Sequence, residues 1–452
     1  MVSGQECVVL IDFKRWGLKI YSIVALLLGA VLLVQGYMLY QSVMATSPYD
    51  AVLDWNGARI ILAGLSPYSI EGLKMVGATP AVGMGHPPTT LVWFLPLGRL
   101  SMMAMKSVWD ELTLFFLFIH CAVMVFELEL PSRLATLGLL LGTVLCSAWM
   151  RDHLMLGQLS ELIALLYVLA WYHLRHRRDV LAGILLGLAC TLKFYPGAVV
   201  LFFLFSRRWR VVFPAVATWF AVAIPITVRL GIQCWSLFAE QSKPYTTYWM
   251  SHVKNASIQG ICQRLRYPIC EFVPAIRDVW APGAWLALLL SIAIVAGVWW
   301  VTRPFMKRDQ AIDLPFALFT LVSLFTGPYA WEHYNVTLIL PLLVAAVALV
   351  AARRAGLCWA WTLAGFALLG SLCAVLAEDT QTKNTLWDAW ITKGRSSHFV
   401  LHFYEVSNWI SSPALIGLLC ALLVWAHRRA PAAFDRLRLV EDSAKEELAG
   451  LG

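Results

Sequence analysis

Apolar stretches of about twenty residues, the length needed to cross a hydrocarbon core of about 30 Å, recur along the chain. The first occupies residues 20–40, with Trp16 at its edge. It is longer than the apolar core of a signal peptide and lacks a small-residue cleavage site, so it reads as a retained helix. Further segments are predicted near 103–127, 131–149, 159–174, 211–229, 281–301, 312–326, 335–352, 356–376 and 410–427. Between them fall basic breaks: Lys14, Arg15 and Lys19, HLRHRRD (173–179), SRRWR (206–210), RPFMKRD (303–309), Arg353–Arg354 and HRR (427–429). Placing every basic break in the cytoplasm gives one consistent path, with both termini cytoplasmic.

Two stretches depart from this pattern. Residues 180–205 carry cytoplasmic signals at both ends and KFYP (193–196) in the middle. Two short helices meeting at Pro196 keep both flanks on one side and put Lys193 at the far apex. TTLVWFLPLGRL (89–100) is too short to span and is expected as a half-inserted helix on the outer face. The chain therefore reads as an all-α polytopic membrane protein of about twelve transmembrane segments. One domain is expected over 1–427, with amphipathic helices in a first outer loop (41–102) and a charged cytoplasmic tail at 428–452.

Composition agrees with the pattern and narrows the partners. The chain is 60% apolar and only 14% charged, with a mean hydropathy of +0.70; an ordinary soluble domain carries about 25% charged residues. Its 21 Trp suit a membrane interface. The net charge of +8 fits basic loops facing anionic lipid, and without a basic stripe in a water-exposed domain no nucleic-acid partner is expected. The ten cysteines show neither CxxC nor Cys/His metal spacing. Cys146, Cys190 and Cys420 lie in apolar helices, where Cys behaves as a small hydrophobe. Cys262 and Cys270 flank a polar stretch and can pair if it faces an oxidising compartment.

The same path gathers a polar set on the outer face: Asp50, Asp54, His86, Arg151, Gln158, Lys193, Tyr195, Asn255 and the WEHYN stretch (331–335). Ionisable groups near membrane depth are costly, so their gathering points to function. Asp50 can cap the helix that follows it or serve as a general base, and Asp54, four residues on, shares its helical face. His333 is either a hydrogen-bonded structural group or part of a ligand site with Trp331, Glu332, Tyr334 and Asn335 around it. Lys193 either snorkels to the interface or, with Arg151, holds an anionic head group. No GxSxG, P-loop, HExxH or strand-linked GxGxxG motif is present. The Asp50/Asp54 spacing does not establish a metal site and leaves a divalent metal open.

Five segments in order resemble the bacterial polyprenyl-phosphate-mannose-dependent mannosyltransferases, integral membrane glycosyltransferases of the GT-C type. They are Asp50 with AGLSPY (63–68), GHPPTTLVWFLPLGRL (85–100), and GQLSELIALL through LKFYPGAVV (157–200). NASIQGICQRL (255–265) and TGPYAWEHYNVTLILPLL (326–343) complete the set, and together the resemblance covers roughly residues 10–350. His86, Ser160 and Tyr334 stand where the family more often has Tyr, Asn and His, which leaves donor sugar and acceptor open.

The resemblance implies a GT-C-like bundle in a bacterial cytoplasmic (inner) membrane, with its site on the outer face and no obligatory cofactor. A sugar, mannose or another hexose, would pass with inversion from a polyprenyl-phosphate donor to a glycolipid or glycan hydroxyl. The family's carboxylate falls on Asp50 and its histidine on His333. Lys193, Arg151 and His333 are expected at the donor phosphate; Asp54, His86, Gln158, Tyr195, Asn255, Trp331, Glu332 and Tyr334 are expected to bind substrate. A glycolipid flippase is the main rival, but it would more often show repeated halves and midplane charges. No internal repeat is evident here.

Overall fold

The computed structural model describes residues 4–44, 48–77, 85–250, 255–263, 282–306 and 312–354. The segments expected near 356–376 and 410–427, the tail 428–452 and Cys270 lie outside the described residues. The described chain is helical: α1 (Gly4–Met44), α2 (Tyr49–Leu62), α3 (Ile70–Met75), α4 (Pro88–Phe94), α5 (Met102–Glu127), α6 (Arg133–Leu145), α7 (Ala148–Leu156) and α8 (Ser160–Arg175). There follow α9 (Asp179–Leu192), α10 (Gly197–Phe205), α11 (Trp209–Leu230), α12 (Gln233–Met250), a helical turn at 258–263 (α13), α14 (Pro282–Met306) and α15 (Asp313–Phe325). A 3-10 turn (Glu332–Leu338) then leads into α16 (Ile339–Arg354).

Four stretches, Gly17–Met44, Met102–Glu127, Trp209–Leu230 and Trp285–Met306, are long and apolar enough to cross a membrane. Their outward faces are apolar. Leu26, Leu27 and Val31 on α1, Phe213 and Val228 on α11, and Trp285 and Trp300 on α14 are all exposed. Surfaces of that kind belong against lipid, as in a multi-pass membrane protein. The remaining helices are shorter, so these described residues do not by themselves reach the expected count of about twelve segments.

Side-chain contacts fix the helix directions. Tyr21 Oη lies 2.8 Å from Thr136 Oγ1, and Gly29 packs on the backbone of Gly138 and Leu139, so α1 and α6 run parallel. Gly183 meets the Val211 carbonyl and Gly187 the Ala215 carbonyl, so α9 and α11 also run parallel. A Cβ on either glycine would strike that backbone, which is why small residues four apart stand where these helices meet. The starts of α9 and α11 are tied by Arg208 and Asp179 at 2.9 Å. The intervening α10 therefore returns the chain, and Lys193 lies at the opposite end from both flanks. Phe203 contacts Phe316 near the start of α15, while Gly327, just past its end, packs on the Tyr195 side chain just before α10, which sets α10 antiparallel to α15.

An ion cluster closes the end away from Lys193. Arg175 Nη1 donates to Asp313 Oδ2 at 2.8 Å and Arg175 Nε to Glu127 Oε1 at 2.9 Å, while Trp171 Nε1 donates to Asp313 Oδ1. Arg175 and Asp313 side chains are each 1% exposed. Asp313→Ala leaves the buried guanidinium with Glu127 alone and strands an indole donor, so it is expected to cost about 3 kcal/mol. Arg208→Met breaks a less deeply buried pair, its side chains 11% and 16% exposed, and is expected to cost less, about 1–2 kcal/mol. Unfolding in detergent micelles with matched variants measures the contrast.

Two expectations change here. The segment expected at 131–149 breaks at Cys146–Ser147 and bends by 64° into α7. The Ser147 side chain caps the new helix by accepting from the Met150 N–H. Helix α2, expected as an amphipathic helix of the first outer loop, is largely enclosed by protein. Ala51, Asp54, Trp55, Gly57, Ala58, Ile60 and Ile61 are buried, so most of its circumference faces protein, including α4, α5 and α7.

Candidate active site

The end opposite the Arg175 cluster collects the ends of α9, the start of α2, the turn before α8 and the 3-10 turn. Helix α2 starts behind Pro48, which serves as its N-cap residue without a side-chain hydrogen bond. Asp50 sits in the first turn, and its Oδ2 accepts a hydrogen bond from Gln158 Nε2. The capping reading of Asp50 thus gives way to a contact across the fold.

Gln158 is held by the residue before it. Gly157 ends α7 at φ +67°, where side chains are strained, and a Cβ there would come within 2.5 Å of Ala51 Cβ. Its carbonyl accepts from Trp109 Nε1 at 3.1 Å, and Gln158 N–H donates to the His153 carbonyl at 3.0 Å. The turn is therefore seated directly on α2 beside Asp50.

Lys193 leaves α9 in an extended conformation (φ −148°, ψ 156°) and is buried. Its Nζ donates to Gln158 Oε1 at 3.1 Å and to Tyr334 Oη at 2.9 Å, and lies 4.1 Å from the Tyr334 ring centre. Tyr195, two residues on, stacks on Tyr334 with centroids 5.7 Å apart. Helix α4 braces this turn: Thr90 Oγ1 donates to the Leu192 carbonyl at 2.7 Å and Trp93 Nε1 to Thr191 Oγ1 at 3.0 Å.

Just before α4, His86 Nδ1 faces both oxygens of Asp54, at 2.8 and 2.9 Å. The buried Tyr68 hydroxyl donates to the His86 carbonyl at 2.7 Å. Burial raises the Asp50 carboxyl above the ordinary range, opposed by the His86 and Lys193 charges. Burial likewise lowers Lys193, to about 8, against the pull of Asp50 and Asp54. Two carboxylates and two basic groups thus act on one another across this end.

An aromatic ladder borders the network. Tyr329 stacks on Trp331 at 6.0 Å, Trp331 on His333 at 6.3 Å, and His333 meets Tyr334 edge-on at 4.7 Å. Asn255 holds the loop that carries it. Its amide donates to the Met250 and Pro328 carbonyls, and its carbonyl oxygen accepts from the Ser257 and Ala330 N–H groups.

Asp50, Asp54, His86, Gln158, Lys193, Tyr195 and Tyr334 therefore come together, with His333 and Trp331 adjoining. Asn255 spends its amide on backbone, at the edge of the site. Arg151, expected beside a phosphate, is instead exposed on α7 and outside this network. The side chain of Glu332 lies outside the described residues. Sequence reasoning missed Trp109, whose indole reads as one more interfacial Trp. Gly157 was legible only as the glycine preceding Gln158. Among the described residues, no three of His, Cys, Asp or Glu gather as they would to hold a metal ion.

The arrangement offers a carboxylate base beside a buried cation, flanked by hydrogen-bond donors and ring faces. Comparison with known proteins gives it a context. The model of Glycosyltransferase family 87 matches residues 85–330, more than half of the chain. A polyprenol-phosphate-mannose-dependent alpha-(1-2)-phosphatidylinositol mannoside mannosyltransferase of Mycolicibacterium smegmatis is 24% identical over 323 residues, covering 67% of this chain and 70% of that protein. The protein of the same description from Mycobacterium tuberculosis is 26% identical over 378 residues, covering 79% of this chain and 83% of that protein. No solved structure matches the chain.

Proposed function

Because the chain belongs to glycosyltransferase family 87, we propose that it moves a hexosyl group, mannose first among candidates, from a polyprenyl-phosphate donor to a glycolipid hydroxyl. The mycobacterial relatives are described by a polyprenol-phosphate-mannose donor and a phosphatidylinositol mannoside acceptor, which supports both halves of the reading. The carrying observation is the continuous contact from Asp50 through Gln158 to Lys193 and Tyr334.

In this reading Asp50 takes the proton of the acceptor hydroxyl as that oxygen attacks the anomeric carbon. Gln158 orients the carboxylate. Lys193 and the Tyr334 hydroxyl meet the phosphate as its charge grows, with His333 beside them, where fixed donors in a dry site lower the barrier. One base and one displacement invert the anomeric centre. Trp331 and Tyr329 offer ring faces to the sugar, and the lipid-facing helices offer the polyprenyl chain an apolar surface.

The reading places the site on the outer face of the cytoplasmic membrane, because the basic breaks lie at the other ends of these helices. The test is transfer by purified protein of radiolabelled mannose from polyprenyl-phosphate-mannose to extracted envelope glycolipids. Label in a new lipid product supports the proposal. No transfer from mannose, glucose or pentose donors overturns it.

A further inference from the structure

The His86–Asp54 pair has no part in the mechanism above, yet it is built like the orienting half of a catalytic dyad. Asp54 is an acceptor when ionised, so the ring nitrogen facing both of its oxygens, Nδ1, carries a proton. That leaves Nε2, which makes no hydrogen bond among the described residues. The ring is rigidly placed. Its own carbonyl is held by Tyr68, Pro87 and Pro88 follow it, and Asp54 is buried on α2 one turn from Asp50. The histidine side chain is 20% exposed where Asp54 is 4%, so its free edge is the accessible one.

Position relates this edge to the reacting groups. The partner of His86, Asp54, lies on α2 four residues after Asp50, on the same helical face. Helix α4, which begins immediately after His86, is hydrogen-bonded to the last two residues before Lys193. His86 is thus tied through Asp54 to the helix of the base and through α4 to the turn of the cation proposed to hold the phosphate.

Resting on the proposed transfer from a polyprenyl phosphate, we propose that His86, held by Asp54, is the acid that protonates the leaving phosphate. The balance closes without an outside proton. The acceptor oxygen bonds to the anomeric carbon and gives its proton to Asp50, while the bond between that carbon and the phosphate oxygen breaks. The electron pair stays on the phosphate, which takes the Nε2 proton of an imidazolium. One proton then passes from Asp50 to His86 and restores the starting state. Net, the acceptor hydroxyl proton ends on polyprenyl phosphate. Asp54 is a positioning residue that fixes the ring's orientation and keeps the proton on Nδ1, as a buried carboxylate does for a catalytic histidine.

The test compares wild type, His86→Gln and Asp54→Asn with polyprenyl-phosphate-mannose and with its thiophosphate analogue, whose leaving group is a weaker base and needs a proton less. With the phosphate donor, His86→Gln is expected to lower kcat by about 10²-fold with KM for the donor little changed. With the thiophosphate donor the loss shrinks to about tenfold or less. Asp54→Asn, which keeps the fold if His86→Gln does not, follows the same pattern, and the double variant is no worse than His86→Gln. Equal losses with both donors, or a raised KM at unchanged kcat, overturn the proposal. Failure of the underlying function looks different: there the wild type turns over neither donor.

Discussion

Asp50→Asn is expected to lower transfer by about 10²–10⁴-fold, the contribution of a positioned general base, while donor binding stays measurable. Asparagine keeps the shape of the side chain and its oxygen still accepts from Gln158, so the turn at Gly157 remains seated. What is lost is the capacity to hold the acceptor's proton. Alanine would be a poorer experiment, since it leaves the Gln158 amide without its partner in a partly buried place. Rates with a radiolabelled donor, set beside equilibrium binding of that donor, separate the two effects. Turnover at the wild-type rate would remove Asp50 from the mechanism.

The second large effect falls on Lys193. Its Nζ is fixed between an amide oxygen and a phenol, and Lys193→Gln removes that cation. A fall of about 10²–10³-fold in kcat/KM for the donor is expected, the range seen when a preorganised donor to a developing anion is deleted. Lys193→Arg restores only part of it, because a planar guanidinium does not fit a place shaped for a point charge. The pH dependence carries the sign. A lysine lowered to about 8 is cationic below that pH, so KM for the donor rises as pH climbs through about 8. In Lys193→Gln that alkaline rise disappears. On the acid side, a base whose carboxyl is raised by burial loses activity at a higher pH than an ordinary aspartate would. A wild-type donor KM that stays flat from pH 7 to about 9.5 would contradict the assignment of Lys193 to the phosphate.

Much of this architecture was legible because charge marks it. The basic flanks at 173–179 and 206–210 already required the chain to return between them, and the Asp179–Arg208 contact is the physical form of that requirement. Lys193 at the apex followed from the same reasoning. Other features left no local trace. Asp54 and His86 are 32 positions apart, and neither residue's neighbours announce the other. Arg151 looked equivalent to Lys193 as a cation on the outer side, but helix phase turned it outward, and phase at a break such as Cys146–Ser147 is not readable from composition. Asn255 was expected to bind substrate. Its polarity serves the backbone of the loop beneath Trp331, a use that a sequence pattern does not distinguish from ligand binding.

The return of the chain at Lys193 also bears on how the protein is made. Asp50 and Gln158 precede Lys193 in synthesis, whereas Tyr334 follows it by 141 positions. If the site lies on the outer face as proposed, the hairpin of α9 and α10 inserts with its two flanks retained on one side and carries a lysine into the bilayer at its tip. A lone lysine at mid-bilayer costs about 2.5–3.5 kcal/mol on insertion scales, a cost that two short, strongly apolar helices are suited to offset. Gln158 is already available to receive the lysine, and the phenol is not. A nascent chain stopped before Tyr334 would therefore hold the base and the cation in register yet lack the residue that completes the lysine's coordination, so catalytic competence arrives late in biogenesis.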